Sequence, residues 1–530
     1  MKYIAKTTRF LGALAVVGSM MLSSCTDGFE DMNKDPNGVT DEELGYDNLR
    51  TGSFFSQMQR GVFIVGQDQG GTYQICQMLT GDIFAGYFAN VQSGYNVGAQ
   101  HHDHYHMVDH WYNMPFNRAY TDVMQPWLEI YKVTDENSVD RALATVVKVF
   151  GMSRITDKYG PIPYSKFGTA INVAYDSQQE VYNQFFTELD QAIEVLNHYQ
   201  NSNGKAYMAN YDFVYSGNVA KWIKFANTLR LRLAMRVSGV DRALAVAEAT
   251  KAIENEGGLM SSADDDAALH QASNFSFTNP IFEVTRSFND LRMGATMDVY
   301  LKGYNDPRMA AYFLPAATDG EYHGVRNGLT SGFTTYIDGG SAANYDADSD
   351  LPWMHAAEAW FLQAEAKLRL GLGNVSVQEA YEKGISTSFA SAGVSGADSY
   401  IANSEALPLS SFTPVSGRAT DVSSMITSLP VAWDESASQN DKIARIMIQK
   451  WIALYPDGQE AWSEMRRTGY PGWVRINSYS YASGVQSNQL ISRIQYPSTE
   501  YSNNGANVNA AVQLLGGTDN AGTRLWWDVD

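Results

Sequence analysis

The densest group of chemically capable side chains is His101-His102-Asp103-His104-Tyr105-His106, with Asp109 and His110 just beyond. On a helix, His102 and His106, or His106 and His110, would lie at i and i+4, a spacing that zinc ligands use. Asp103 or Asp109 could add an oxygen. The array lacks the Glu of an HExxH motif. It is read as a solvated polar loop or part of a ligand surface, and no metal is assigned to it. Asp346-x-Asp348-x-Asp350 opens like a calcium loop, but position 6 is Leu351 where Gly is needed and position 12 is Ala357 where Glu is needed. Asp264-Asp265-Asp266 reads as a solvated run. Paired carboxylates for glycoside hydrolysis come from distant positions, so the sequence leaves them open. Glu358 and Glu365 are read as core-edge or solvent groups. GxSxG, P-loop and dinucleotide fingerprints are all missing. No catalytic residue and no cofactor is assigned.

The elements that would position such groups come from a chain of 530 residues, 44% hydrophobic and 18% charged, which is a globular composition. A net charge of −20 repels phosphate backbones and excludes nucleic acid as a partner. Aromatics reach 12%, with 31 tyrosines, and tyrosine gives contact area at low entropic cost. Lys2, Lys6 and Arg9 precede the apolar run Phe10 to Leu22, which is too short to span a bilayer. Leu22-Ser23-Ser24-Cys25 follows and looks like a bacterial lipobox. Residues 1–24 are therefore expected to be a lipoprotein signal peptide, with Cys25 the acylated first residue of the mature chain. Acyl chains anchor firmly, since each buried CH₂ contributes roughly 0.8 kcal/mol. Only Cys76 then remains, so no intrachain disulfide is expected. Residues 25–40, rich in Gly, Pro, Asn and Asp, read as a tether, and 41–530 as one domain.

Helical periodicity predicts helices over Val139 to Lys158, from the capping box Ser177-Gln178-Gln179-Glu180 onward, Val219 to Val237, from Asp241 to Gly257, 353–371, and Gly373 to Phe389. Residues 259–352 and 391–430 are loop-rich. Asp441 to Pro471 reads as two helices around a Pro456-Asp457-Gly458 turn. Ile443, Met447, Trp451 and Leu454 lie on the first helix, Ala461, Trp462 and Met465 on the second. Such a hairpin is expected to lie antiparallel and share apolar surface.

The hairpin also resembles a hallmark of the SusD/RagB family, surface lipoproteins of Bacteroidetes nutrient-uptake systems. The matching residues are Trp451, Leu454, Tyr455, Gly458, Glu460, Trp462, Arg466, Arg467 and Gly469. Gly160-Pro161-Ile162-Pro163-Tyr164, Asn227 to Arg236, Asp306-Pro307-Arg308, Ala357 to Gly371, Arg493 to Pro497, and Arg524-Leu525-Trp526-Trp527-Asp528 match in the family's order. The resemblance implies a mostly α fold of tetratricopeptide-like helical pairs in a single domain, with long irregular loops carrying the ligand. It implies capture of an oligosaccharide, or alternatively an oligopeptide, at the outer-membrane surface, and delivery to a SusC-like TonB-dependent transporter. A surface glycosidase is the reading from a different class. Candidate ligand residues are Tyr87, Phe88, Tyr95 and His104, with Phe288, Asn289 and Trp353 on the 281–353 loops as the other place for the site. If the lipobox is used, Cys25→Ala will be missing from outer-membrane fractions; wild-type levels of the variant there would refute it.

Overall fold

The computed structural model describes residues 48–66, 68–93, 101–480, 483–486 and 488–529. The signal segment, Cys25 and the tether lie outside the described residues. The chain divides into two units, Met1–Arg50 and Thr51–Asp530, and of the first only residues 48–50 are described.

Side-chain caps mark where most of the main helices begin. We number these α1 (Leu49–Phe63), α2 (Asp109–Ala119), α3 (Gln125–Val133), α4 (Val139–Tyr159), α5 (Gln178–Ser202), α6 (Val219–Arg236), α7 (Arg242–Glu254), α8 (Ala357–Leu370), α9 (Val377–Ser391), α10 (Gln439–Ala453) and α11 (Gly458–Thr468). The Ser138 side chain accepts from the Arg141 amide at the start of α4. Ser177 and Glu180 form the expected reciprocal box on α5. Asp241 caps α7, and Gly371, at φ +77°, closes α8 in the left-handed conformation that glycine adopts without strain. The predicted 353–371 helix starts late, at Ala357. Residues Leu351–Met354 are instead a strand, paired antiparallel with Ala267–Leu269. Two further antiparallel ribbons join Phe88–Asn90 to Leu291–Met293 and Ser411–Phe412 to Thr420–Asp421. In chain order these six strands are β1 (Phe88–Asn90), β2 (Ala267–Leu269), β3 (Leu291–Met293), β4 (Leu351–Met354), β5 (Ser411–Phe412) and β6 (Thr420–Asp421). The α4/α5, α6/α7 and α8/α9 neighbours pack as helical pairs, the tetratricopeptide-like arrangement. Among the described residues, no helix is long and apolar enough to cross a membrane.

The hairpin differs from expectation. Trp451 is buried as predicted, but α10 packs chiefly on α8, and α11 chiefly on the π-helical segment Gln74–Asp82. The two helices share less surface with each other. The reason is that α11 is buried on every side, charged residues included. The Arg236 guanidinium donates to Glu464 at 2.6 Å and to Glu460 at 2.5 Å, and Asp157 lies 3.2 Å from its Nε. Lys450 reaches Glu464 at 2.9 Å, and Arg467 reaches it at 2.6 Å. Arg467 also grips both oxygens of Glu365 at 2.7 Å. Arg232 pairs with Glu358 at 2.5 Å, and Arg154 with Asp457 at 2.8 Å. Burial alone would raise the Glu464 carboxyl, but the cations of Arg467, Lys450 and Arg236 hold it well below the usual range.

Glu358 and Glu365 are therefore not core-edge or solvent groups; both are fully buried and doubly paired. The 264–266 run is likewise mostly structural. Asp265 is buried and accepts from Lys224 at 2.9 Å, while Asp266 holds His355 at 2.8 Å and the Ala356 amide at 2.7 Å beside the start of α8. Asp264 alone stays exposed.

Removing one partner from such a network strands the others in a medium that cannot solvate them. Arg236→Met should cost about 3–5 kcal/mol in denaturant unfolding. An unchanged midpoint would show that the carboxylates of Glu460 and Glu464 find other partners.

Candidate functional site

β1 and β3 bring distant loops together. Asn90 lies opposite Leu291, and beyond that pair the Val91 amide donates to the Asp290 carbonyl at 2.9 Å. Gln92 therefore emerges beside Phe288 and Asn289, and its side-chain amide reaches the Phe288 carbonyl at 3.4 Å across 196 residues of sequence. Asn90 Oδ1 accepts from the Gln92 amide at 3.0 Å, which sets the direction of the departing chain. Asn289 has φ +59°, a conformation Asn tolerates better than most residues. Its side-chain oxygen accepts from Arg292 at 2.9 Å, and Arg292 is itself fixed by the carbonyls of Thr285 (2.7 Å) and Ile337 (3.0 Å). Burial pushes the Asp290 carboxyl above the usual range, and Gln74 donates to it at 2.8 Å. The Phe288 ring stands out with 38% exposure. Arg286 lies 5.0 Å over the half-buried Phe282 ring and donates to Asp346 at 3.0 Å. The surface thus offers an open ring beside the Gln92 and Asn289 amides, with Asn289 held by the buried Arg292.

Of the predicted ligand residues, Phe288 and Asn289 lie on this surface together with Gln92. Tyr87 and Phe88 do not: both are fully buried, Phe88 on a strand covered on both faces and Tyr87 just before it. Tyr87 packs on Trp451 and Tyr455 and donates to the Trp451 carbonyl, while Phe88 packs on Phe313 and Tyr455. Trp353, on β4, is core among Phe63, Phe150 and Phe225. Tyr95 lies outside the described residues. The proximity of Gln92 to Phe288 escaped the sequence reading, since two three-residue strands so far apart carry no periodic signal.

His104 is buried as well, and so are His101, His102 and Asp103. Residues 102–104 form a single 3₁₀ turn, so the i, i+4 helical spacing never arises. The cluster is not a solvated loop. Asp103 Oδ1 lies 2.7 Å from His101 and 2.9 Å from His104, and Oδ2 accepts from the Gly328 amide at 3.3 Å. The Ser480 amide donates to the His104 carbonyl at 2.7 Å, so the turn ties loops 101–106, 327–328 and 477–480 together. Among the described residues, no three His, Cys, Asp or Glu side chains gather to hold a metal.

A family profile described as SusD-like, "Susd and RagB outer membrane lipoprotein", matches residues 31–528. The chain belongs to the SusD/RagB family. The SusD/RagB likeness extends to solved structures. A chitin-binding SusD homolog from Flavobacterium johnsoniae is 37% identical, with a TM-score of 0.84 over 91% of this chain and 99% of that one. SusD homologs from Bacteroides uniformis and Bacteroides vulgatus are 36% and 32% identical, with the same coverages and TM-score. Comparison with curated proteins finds no match.

In this SusD/RagB chain, His102 makes the loop junction sensitive to acid. Its Nδ1 lies 2.8 Å from the Leu79 carbonyl and its Nε2 accepts from the Val108 amide at 3.0 Å, which requires the neutral ring. Burial, with the neighbouring His101, lowers its pKa from 6.5 to about 3. Below pH 6.5 the unfolded chain takes up a proton that the folded chain refuses, so this stability is complete above 6.5 and drains away toward about 3. His102→Asn keeps a donor and does not titrate. Between pH 6.5 and 4 the wild type should lose stability faster than this variant, by up to about 1.4 kcal/mol per pH unit. Equal slopes in denaturation would contradict the neutral assignment.

Proposed function

We propose that the protein is a lipid-anchored surface lipoprotein, acylated at Cys25, that captures an oligosaccharide on the loop surface around Phe288, Asn289 and Gln92. It passes the ligand to a SusC-like TonB-dependent transporter in the outer membrane. The observation that carries this reading is membership in a family described as outer-membrane lipoproteins, with a chitin-binding homolog among the similar structures. The surface chemistry supports it. A flat exposed ring meets the apolar face of a pyranose, and side-chain amides both donate to and accept from hydroxyls. Backing by Arg292, Asp290 and Asn90 means that little side-chain freedom is lost on binding. Capture requires no bond to be made or broken, and the reading assigns no catalytic residue, cofactor or metal.

Phe288→Ala and Gln92→Ala should each weaken binding of N-acetylglucosamine oligosaccharides about tenfold, or about 1.4 kcal/mol, by calorimetry. Far-UV circular dichroism and Tm should stay at wild-type values, because neither side chain is core. A wild-type protein that ignores a broad glycan panel and binds oligopeptides would replace the glycan reading with the peptide one.

A further inference from the structure

We propose that the cleft bounded by α3, α4, α5 and the loop 163–169 is a second binding site, shaped for a neutral saccharide and separate from the Phe288 surface. Its cavity volume is about 560 Å³. Its aromatic lining comes from Trp127, Tyr131, Tyr164 and Phe167. Local sequence builds it. After α4, the Gly160 to Tyr164 turn sends the chain back across the helices, and Asp176 clamps it: one oxygen accepts from the amides of Tyr164 (3.1 Å) and Ser165 (2.6 Å), the other from the Ser165 hydroxyl (2.7 Å). Gly168, at φ +81°, sits so close to Leu128 that a Cβ there would meet its side chain at 2.5 Å. The loop is thus pinned against α3 by a residue that only glycine can supply.

The polar groups are held by one another or by the backbone, and Arg141 donates to the Tyr131 carbonyl at 2.7 Å. Lys148 reaches Glu188 at 2.7 Å, and Glu188 accepts from the Tyr164 hydroxyl at 2.6 Å and from Gln184 at 3.2 Å. Gln191 donates to Glu136 at 2.9 Å. Lys148 also lies 3.6 Å over the Trp127 ring, Trp127 lies against Tyr131 at 5.2 Å, and Arg141 lies 4.2 Å from the Tyr131 ring centre. The lining therefore carries Lys148 and Arg141 against Glu136 and Glu188, with no net charge. A phosphate or polyanion would find Lys148 already neutralised, and a cationic peptide would find Glu188 already shared. A ligand made of hydroxyls suits such a lining, since each hydroxyl both donates and accepts. Tyr131, 46% exposed, and the half-buried Phe167 leave ring surface for the apolar face of a sugar. Because the polar side chains are already held by one another or by the backbone, the cleft is preformed, as ligand pockets usually are.

The test uses the full mature chain with Cys25 replaced by Ala, and calorimetry with chito-, cello- and malto-oligosaccharides, inorganic phosphate and a tri-lysine peptide. In the Phe288→Ala background, at least one neutral oligosaccharide should still bind. Adding Phe167→Ala or Gln184→Ala should weaken that binding tenfold or more, with Tm unchanged. Gln184→Ala serves if Phe167→Ala perturbs the loop. The proposal is overturned if the Phe288→Ala protein binds no neutral saccharide, if both cleft substitutions leave binding unchanged, or if only phosphate or the peptide responds. If Phe288→Ala leaves all binding intact and the cleft substitutions abolish it, the cleft stands and the Phe288 reading falls.

Discussion

The fold depends on a set of ion pairs from which water is excluded. Arg154 and Asp157 come from α4, Arg232 and Arg236 from α6, Glu358 and Glu365 from α8, Lys450 from α10, and Glu460, Glu464 and Arg467 from α11. Such pairs add little net stability relative to apolar packing, because desolvating each charge is costly. They do penalise misplacement heavily. Apolar faces can slide past each other at modest cost, whereas the bidentate grip of Arg467 on Glu365 accepts one geometry. Five helices are thereby held in one mutual register.

That register reaches the loop surface through a short chain of contacts. Asp457 pairs with Arg154 and caps α11, and it also accepts from Gln77 at 3.4 Å. Gln77 donates to Asp82 at 2.8 Å, at the end of the π-helical segment that leads into β1. Trp451 donates to the Ala85 carbonyl at 3.0 Å, and Tyr87 returns a hydroxyl to the Trp451 carbonyl. β1 then aligns β3, which places Gln92 beside Phe288. The surface is mounted on the ionic core by backbone and amide contacts rather than by the loop's own sequence.

The tyrosine richness acquires a different meaning inside the structure. Tyr87, Tyr300, Tyr304, Tyr381 and Tyr496 direct their hydroxyls to the carbonyls of Trp451, Gly472, Leu429, Val431 and Pro161. Most of these carbonyls belong to irregular segments with no ladder partner, and a buried carbonyl must be satisfied somehow. Phenols supply the donor while filling apolar volume. Long loops can therefore be buried without forming sheets, and much of the aromatic content is spent on core rather than ligand.

The sequence by itself determined most of the long helices and several of their ends. The capping box at Ser177 and Glu180, the Asp241 cap and the Gly371 stop are local devices, readable within a few residues. It also determined the family, through motifs such as Trp451 to Gly469 in fixed order. It could not say which side chains are inside. Tyr87 and Phe88 read as surface aromatics because they sit in an aperiodic segment, yet Phe313, Trp451 and Tyr455, more than two hundred positions away, pack over them. Glu358, Glu365 and the 101–104 cluster read as solvated because charge is usually outside, and only their distant partners make burial tolerable. Burial and pairing are properties of contacts between remote segments, and the three-dimensional packing alone decides those.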